Sequence, residues 1–372
     1  MRTNFYAAIA TLIGAMIGAG ILGIPYVFAN AGFVTGVIVL FIVALIITYV
    51  HLGFGEVILR TKEQHQITGY AEKYLGKIAK RLMTFSSLMI FYFVLSAYLI
   101  ASGQILFQLF GIPEIIGSII FFIFFSLIVA FGLKLIEDSE LALILLIFMF
   151  LILFVTFLFP KIIVANLTTF SFNTILLPYG ILMFAFYGVA VIPEMAEELS
   201  KSKKQLKKAI ITGTAITGII YILFAAMVVG ISATNTTEVA VIGLSNILGP
   251  AVLFFGSIFG LIAIFTSALP VSLATKEIFN YDFGLSKRKS LIFATIVPFL
   301  FFLLIKQLAS FSSILNIVGA VFCTIQLILV LFIIESAKKK GDRKPEYSVY
   351  ISKPLIYLII ILLVIGAVNV LI

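Results

Sequence analysis

Residues 13–25 read IGAMIGAGILGIP and place Gly18, Gly20 and Gly23 in a G-x-G-x-x-G spacing. In a dinucleotide-binding fold such glycines let backbone approach a pyrophosphate at a helix N-terminus. That chemistry needs a preceding strand and an acidic residue about 20 positions on. Neither is present, since the stretch is apolar throughout and the first carboxylate after Gly23 is Glu56. A second chemistry-bearing spacing is AIFTSALP in residues 263–270, where Ala263, Thr266 and Ser267 stand at i, i+3 and i+4. That spacing puts two hydroxyls and a carbonyl on one helical face beside Pro270, a donor set suited to a small hard cation. The competing reading is that both hydroxyls bond back to their own helix.

The elements that must position these residues are membrane helices. The chain is 62% hydrophobic and 11% charged over 372 residues, far from the usage of soluble domains. Eleven apolar runs are long enough to cross a hydrocarbon core of about 30 Å. They lie near 5–29, 32–59, 82–109, 113–133, 141–160, 177–197, 209–232, 249–275, 290–305, 310–334 and 354–372. The N-terminal run lacks a small-residue cleavage site and reads as a retained first span. With the N-terminus in the cytoplasm, 23 of the 25 Lys and Arg residues fall on the inside and only Lys161 and Lys306 outside. Such asymmetry predicts a multi-pass plasma-membrane protein with a cytoplasmic N-terminus. The net charge of +9 then anchors the chain to anionic lipids and does not indicate nucleic acid. The single cysteine, Cys323, rules out an internal disulfide, and no catalytic constellation suggests an enzyme. Nothing in the sequence sets an oligomeric state.

Gly14, Gly18, Gly20 and Gly23, followed by Pro25, weaken span 1 by about 1 kcal/mol per glycine. Gly14 and Gly18 are also spaced as a small-xxx-small packing motif, so close helix packing is an alternative. Span 6, PYGILMFAFYGVAVIPEMAEEL, repeats the weakness at Gly188 and Pro193. Residues 1–160 hold spans 1–5 and residues 177–335 hold spans 6–10, with 354–372 as an extra eleventh helix. Five spans per half invert the second half relative to the first. Interrupted helices at matching places in inverted halves point to a secondary transporter's midplane site. The expected fold is therefore all-α, with helices 1 and 6 discontinuous.

IGAMIGAGILGIPYVFANAGF and FAFYGVAVIPEMAEEL resemble spans 1 and 6 of the amino acid/auxin permease family, which includes sodium-coupled neutral amino acid transporters. The resemblance implies the five-plus-five inverted repeat of the leucine-transporter fold within the amino acid–polyamine–cation superfamily. Tyr187 and Gly188 stand where family members often carry a polar residue. An amino acid brings a carboxylate and an ammonium to the midplane, where fixed charges would cost about 2.5 kcal/mol or more each. Freed N–H groups around Gly18, Ala19, Gly20 and Ile21 are expected to take the carboxylate at a positive dipole end. Freed carbonyls around Phe184, Ala185 and Tyr187 would take the ammonium, with the Phe184, Phe186 and Tyr187 rings walling the side-chain pocket. Tyr98 or Tyr92 of span 3 would border the substrate. The Ala-x-x-Thr-Ser of span 8 resembles half of the sodium site in sodium-coupled members. Its partners there would fall on the carbonyls of Gly14 and Ile17.

The expectation is a sodium-coupled symporter of neutral amino acids working by alternating access, with no cofactor beyond the coupling ion. Two alternatives stand beside it: a proton-coupled permease, and an amino-acid-sensing subunit like those of spore germination receptors. Span 5 lacks the Lys that proton-coupled relatives place there. His51, Glu56, Glu194, Glu197 and Glu198 are expected at the inner interface, pairing with lysines.

Overall fold

The computed structural model describes residues 2–131, 133–350 and 352–371, and every regular element among them is helical. Span 1 is two helices, α1 (Arg2–Met16) and α2 (Gly20–Ala31), bent by 58° at the break between them. Span 2 is α3 (Phe33–Arg60). A short amphipathic helix, α4 (Ile67–Leu75), leads into span 3, α5 (Lys77–Phe110). Spans 4 and 5 are α6 (Glu114–Phe131) and α7 (Leu133–Leu158). Span 6 is again two helices, α8 (Tyr179–Ala185) and α9 (Ile192–Glu198). Then come α10 (Leu206–Ser232), a short α11 (Ala240–Leu248), α12 (Pro250–Glu277) and α13 (Lys287–Ile305). Span 10 runs from α14 (Phe311–Ile317) through a π-helical turn at Val318–Cys323 into α15 (Thr324–Lys340), and α16 (Lys353–Leu371) closes the chain.

Among the described residues, eight helices are long and apolar enough to cross a membrane, and the bent pair of span 1 makes a ninth. Glu114–Ala130 and Leu146–Lys161 are shorter apolar helices at the places expected for spans 4 and 5. Spans 3 and 10 extend beyond their apolar runs, because Lys77, Lys80 and Lys338 to Lys340 continue the helices into the interface. The fold is the five-plus-five inverted repeat, with its two discontinuous helices at the centre.

Packing explains why the breaks face each other. The two halves of span 1 wrap around α10: α1 packs between α10 and α9, and α2 between α10, α3 and α8. On the far side α8 lies against the π turn of span 10. A Cβ on Gly319 would fall 1.8 Å from the Gly180 carbonyl oxygen, so the backbones touch there with no room for a side chain.

The loop after span 10 folds back over the basic end of α3. Glu56 is 1% exposed; it pairs with Arg60 at 2.8 Å and accepts from the Ser348 hydroxyl at 3.0 Å and the Val349 amide at 2.6 Å. Tyr347 donates to the Leu52 carbonyl at 2.9 Å. His51 is fully buried as well. Both residues sit toward the basic end of α3, as expected, but they are buried, and the cation paired with Glu56 is Arg60 rather than a lysine. Helical depth alone did not reveal that residues 342–350 cover this end of α3.

Candidate functional site

In span 1 the helical ladder fails over Ile17, Gly18 and Ala19. The Gly18 amide turns back to the Met16 carbonyl at 2.9 Å, and the Ala19 amide donates to Ser267 Oγ at 3.1 Å. The Ile21 amide bonds Gly18 O at 3.2 Å. Five carbonyls, Gly14 to Gly18, consequently lose their usual i+4 donors; Met16 O and Gly18 O find other donors, and those of Gly14, Ala15 and Ile17 have none among the described residues. Of the four amides expected for a carboxylate, those of Gly18, Ala19 and Ile21 have protein partners. The Gly20 amide, at the N-terminus of α2, has none among the described residues. Gly18 is required by contact, since a Cβ there would lie 2.0 Å from Ser267 Oγ.

In span 6 the ladder stops after Ala185. Phe186 to Gly188 are non-helical, a single 3-10 turn follows at Val189–Val191, and Pro193 stands in the first turn of α9, where its missing N–H does no harm. Phe184 O accepts from the Tyr187 amide at 3.1 Å, and Ala185 O accepts from the Tyr221 hydroxyl at 2.9 Å. The two breaks adjoin. A Cβ on Gly20 would lie 3.2 Å from Ala185 Cβ and 3.3 Å from the Phe184 ring. The candidate carboxylate site and the candidate ammonium site therefore sit across one contact.

The rings divide. Phe184 is half-buried beside Gly20. Phe186 is fully buried on the other side of the break, with its ring edge-on to Tyr221 at 5.1 Å. Tyr187 donates to Gln326 of α15, whose amide nitrogen in turn donates to Ser87 at 2.8 Å and Ser86 at 3.0 Å on α5. Tyr98 is buried and its hydroxyl interacts with Ser267. Tyr92 lies half-buried near Phe301. Tyr98 thus meets the span 1 break through Ser267, whereas Phe186 and Tyr187 tie span 6 to its neighbours.

At the candidate cation position, Thr266 and Ser267 donate to the Ala263 carbonyl at 3.0 and 2.9 Å, the back-bonded arrangement. Pro270 inside α12 has no amide to offer Thr266 O. Ser267 nonetheless sits directly against Gly18, so span 8 and the span 1 break meet at this hydroxyl.

Tyr221 escaped the sequence reading. Its hydroxyl lies 2.6 Å from Met16 O and 2.9 Å from Ala185 O, one phenol bridging the last carbonyl before each break. The available signal was a tyrosine deep in span 7, whose O–H must find an acceptor away from water.

Two interrupted helices packed on each other in an all-helical bundle of apolar spans define a membrane protein of the leucine-transporter fold. The crystal structure of MhsT in complex with L-phenylalanine has this fold, superposing with a TM-score of 0.67 at 18% identity over 100% of this chain and 98% of that one. A model of the tryptophan/tyrosine permease family matches residues 1–370, and the chain belongs to that family. It is 24% identical to glutamine transporter 2 of Aliivibrio fischeri, over 94% of each chain. It is 26% identical to tyrosine-specific transport system 1 of Haemophilus influenzae, over 91% of this chain and 89% of the relative. The kinship inferred from spans 1 and 6 holds as an amino acid permease family, although the family shown is the tryptophan/tyrosine one.

Proposed function

We propose that the protein carries neutral amino acids across the plasma membrane by sodium-coupled symport, with its N-terminus in the cytoplasm. The observation that carries this reading is the contact of Gly20 with Ala185 and Phe184, which sets an unpartnered amide beside the span 6 break. The Gly20 amide would take the substrate carboxylate, aided by the positive end of α2, with Gly18, Ala19 and Ile21 shaping the turn that presents it. Carbonyls of Phe184, Ala185 and Tyr187 would take the ammonium once Tyr221 releases Ala185. Phe184 walls the side chain; Phe186 and Tyr187 hold the break open through Tyr221 and Gln326.

A sodium ion would be held by the carbonyls of Gly14, Ile17 and Ala263 with the Thr266 and Ser267 hydroxyls. The fit rests on the Gly14 and Ile17 carbonyls having lost their helical donors and on Ser267 standing against Gly18. Bound there, the ion would supply positive charge that ties α12 to the break. Sodium coupling is the reading that the Ala-x-x-Thr-Ser of span 8 supports, by its resemblance to half of the sodium site in sodium-coupled members of the fold.

The relatives named for glutamine and tyrosine handle side chains without formal charge. The same class suits this site, because a charged side chain would want a buried counter-charge. Uptake of radiolabelled glutamine, tyrosine, tryptophan and phenylalanine into proteoliposomes tests the reading. Stimulation of one or more by an inward sodium gradient is expected. Accumulation driven by a proton gradient and indifferent to sodium would replace the coupling ion, and binding without flux would replace transport.

A further inference from the structure

His51 is fully buried, and neither its Nδ1 nor its Nε2 has a polar partner among the described residues. Buried polar groups are ordinarily hydrogen-bonded, and a wholly unpaired ring calls for a reason. Its position supplies one. A Cβ on Gly188, in the non-helical part of span 6, would meet Leu12 Cδ1 at 2.9 Å, Met16 Cε at 3.2 Å and His51 Cε1 at 3.4 Å. Cε1 is the atom between the two ring nitrogens, so the imidazole turns its N–C–N edge toward the break. Leu12 and Met16 belong to α1 and complete the cover. On α10, which packs against both α1 and α3, the buried Thr214 and Thr217 hydroxyls also lack partners.

The ionisable groups on the surrounding elements are engaged elsewhere or lie toward the interface. On α3 itself, Glu56 holds Arg60, Ser348 and Val349, and Tyr49 reaches the Tyr350 carbonyl. On α9, Glu198 accepts from Thr11, and Glu194 and Glu197 are exposed. In the span 6 break Tyr187 bonds Gln326, and on α8 Tyr179 bonds Thr324 and Leu363 O. On α10, Tyr221 bonds Met16 O; α2 carries Tyr26, while α15 carries Glu335 and Lys338 to Lys340 at its basic end.

We propose that His51 is a proton-binding site on the basic side of the membrane that takes a proton when α1 and α9 part and must release it before they close again. The proposal rests on the alternating-access reading. In the closed arrangement an imidazolium would have no acceptor, and burying an unpaired charge is strongly disfavoured. Separation of α1 from α9 would uncover the Leu12–Met16–Gly188 seam, admit water and let the ring titrate as free imidazole does, near pH 6.5. Protonation then holds the carrier open, and acid on the basic side slows its return.

The test uses proteoliposomes whose lumen contacts the basic side, with the outer pH fixed. Lowering the lumenal pH from about 7.5 to about 5.5 is expected to slow wild-type uptake roughly tenfold, the ratio set by an imidazole titrating near 6.5. His51→Gln should flatten the response to under about twofold; an undiminished response in this variant overturns the proposal. A second arm needs no flux. The chain has two histidines, so the His65→Gln protein gives 15N imidazole signals of His51 alone. With Thr11→Cys and Glu198→Cys cross-linked to tie α1 to α9, His51 should stay neutral to about pH 5.5, and titrate once the link is cut. Titration near pH 6.5 in the tied protein contradicts the proposal. Wild-type vesicles that transport nothing count against the transport reading, and the NMR arm still decides on His51.

Discussion

The two breaks solve one problem differently. Span 1 breaks over three residues and its strand of backbone is refastened at once, by Met16 O and by Ser267 of another helix. Span 6 breaks over a longer stretch, uses a 3-10 turn, and is held mainly through side chains: the Tyr221 hydroxyl on Ala185 O and the Tyr187 hydroxyl on Gln326. The glycines differ accordingly. At Gly18 an added Cβ meets Ser267 Oγ at 2.0 Å, whereas at Gly188 the nearest atom is the end of the Leu12 side chain at 2.9 Å. The first break is fixed by a backbone turn packed on one short serine side chain and the second by longer, movable side chains, so the second is the better candidate for the moving part of a transport cycle.

Substitution at the two glycines should separate them most. Gly18→Ala is expected to destabilise by about 1–3 kcal/mol through overpacking and to cut uptake at least about tenfold. Gly188→Ala should cost about 1 kcal/mol or less, because Leu12 and Met16 can shift. Thermal unfolding in detergent and proteoliposome uptake measure both, and equal losses would erase the distinction.

Removing the phenol that joins the breaks comes next. Tyr221→Phe leaves the Met16 and Ala185 carbonyls without that donor and should destabilise by about 1–3 kcal/mol. Tyr187→Phe should cost less, since Gln326 keeps Ser86 and Ser87. Ser267→Ala takes away the acceptor of the Ala19 amide and one proposed sodium ligand. It should lower thermal stability by about 1 kcal/mol and raise the sodium concentration needed for half-maximal uptake. An unchanged sodium response would remove Ser267 from the ion site.

The smallest effect is expected far from both breaks, at the loop that covers α3. Lys73 lies 2.7 Å from Asp342, which holds the Asp342 carboxyl below its ordinary range and the Lys73 ammonium above its own. A depressed carboxylate pKa stabilises above its unfolded value and is lost as the pH falls through the folded one. A raised ammonium pKa stabilises below its unfolded value and is lost as the pH rises through the folded one. The pair should therefore act from about pH 4 to about pH 10. Both groups are near solvent, so Asp342→Asn should move the melting temperature only slightly at neutral pH and not at all below about pH 3.

How much the sequence disclosed follows from what a linear pattern can carry. Apolar runs placed the spans, and Gly18, Gly20, Gly188 and Pro193 marked both breaks, because backbone disruption is a local property of residue type. Contacts between spans are not local. Nothing in the order of residues shows that one phenol reaches Met16 O and Ala185 O together. Nor does it show that Phe186 turns toward Tyr221 while Phe184 faces Gly20, since both rings belong to one Phe-x-Phe. His51 was misread for the same reason, its cover being contributed by α1 and the span 6 break.

The most direct measurement is a cryo-EM map of the purified protein with a transported amino acid bound. The ligand carboxylate should lie within about 3 Å of the Gly20 amide, a hydrogen-bond distance, with its ammonium at the carbonyls freed in span 6. An amino acid bound away from both breaks, with Gly20 still packed on Ala185, would contradict a site built from interrupted helices.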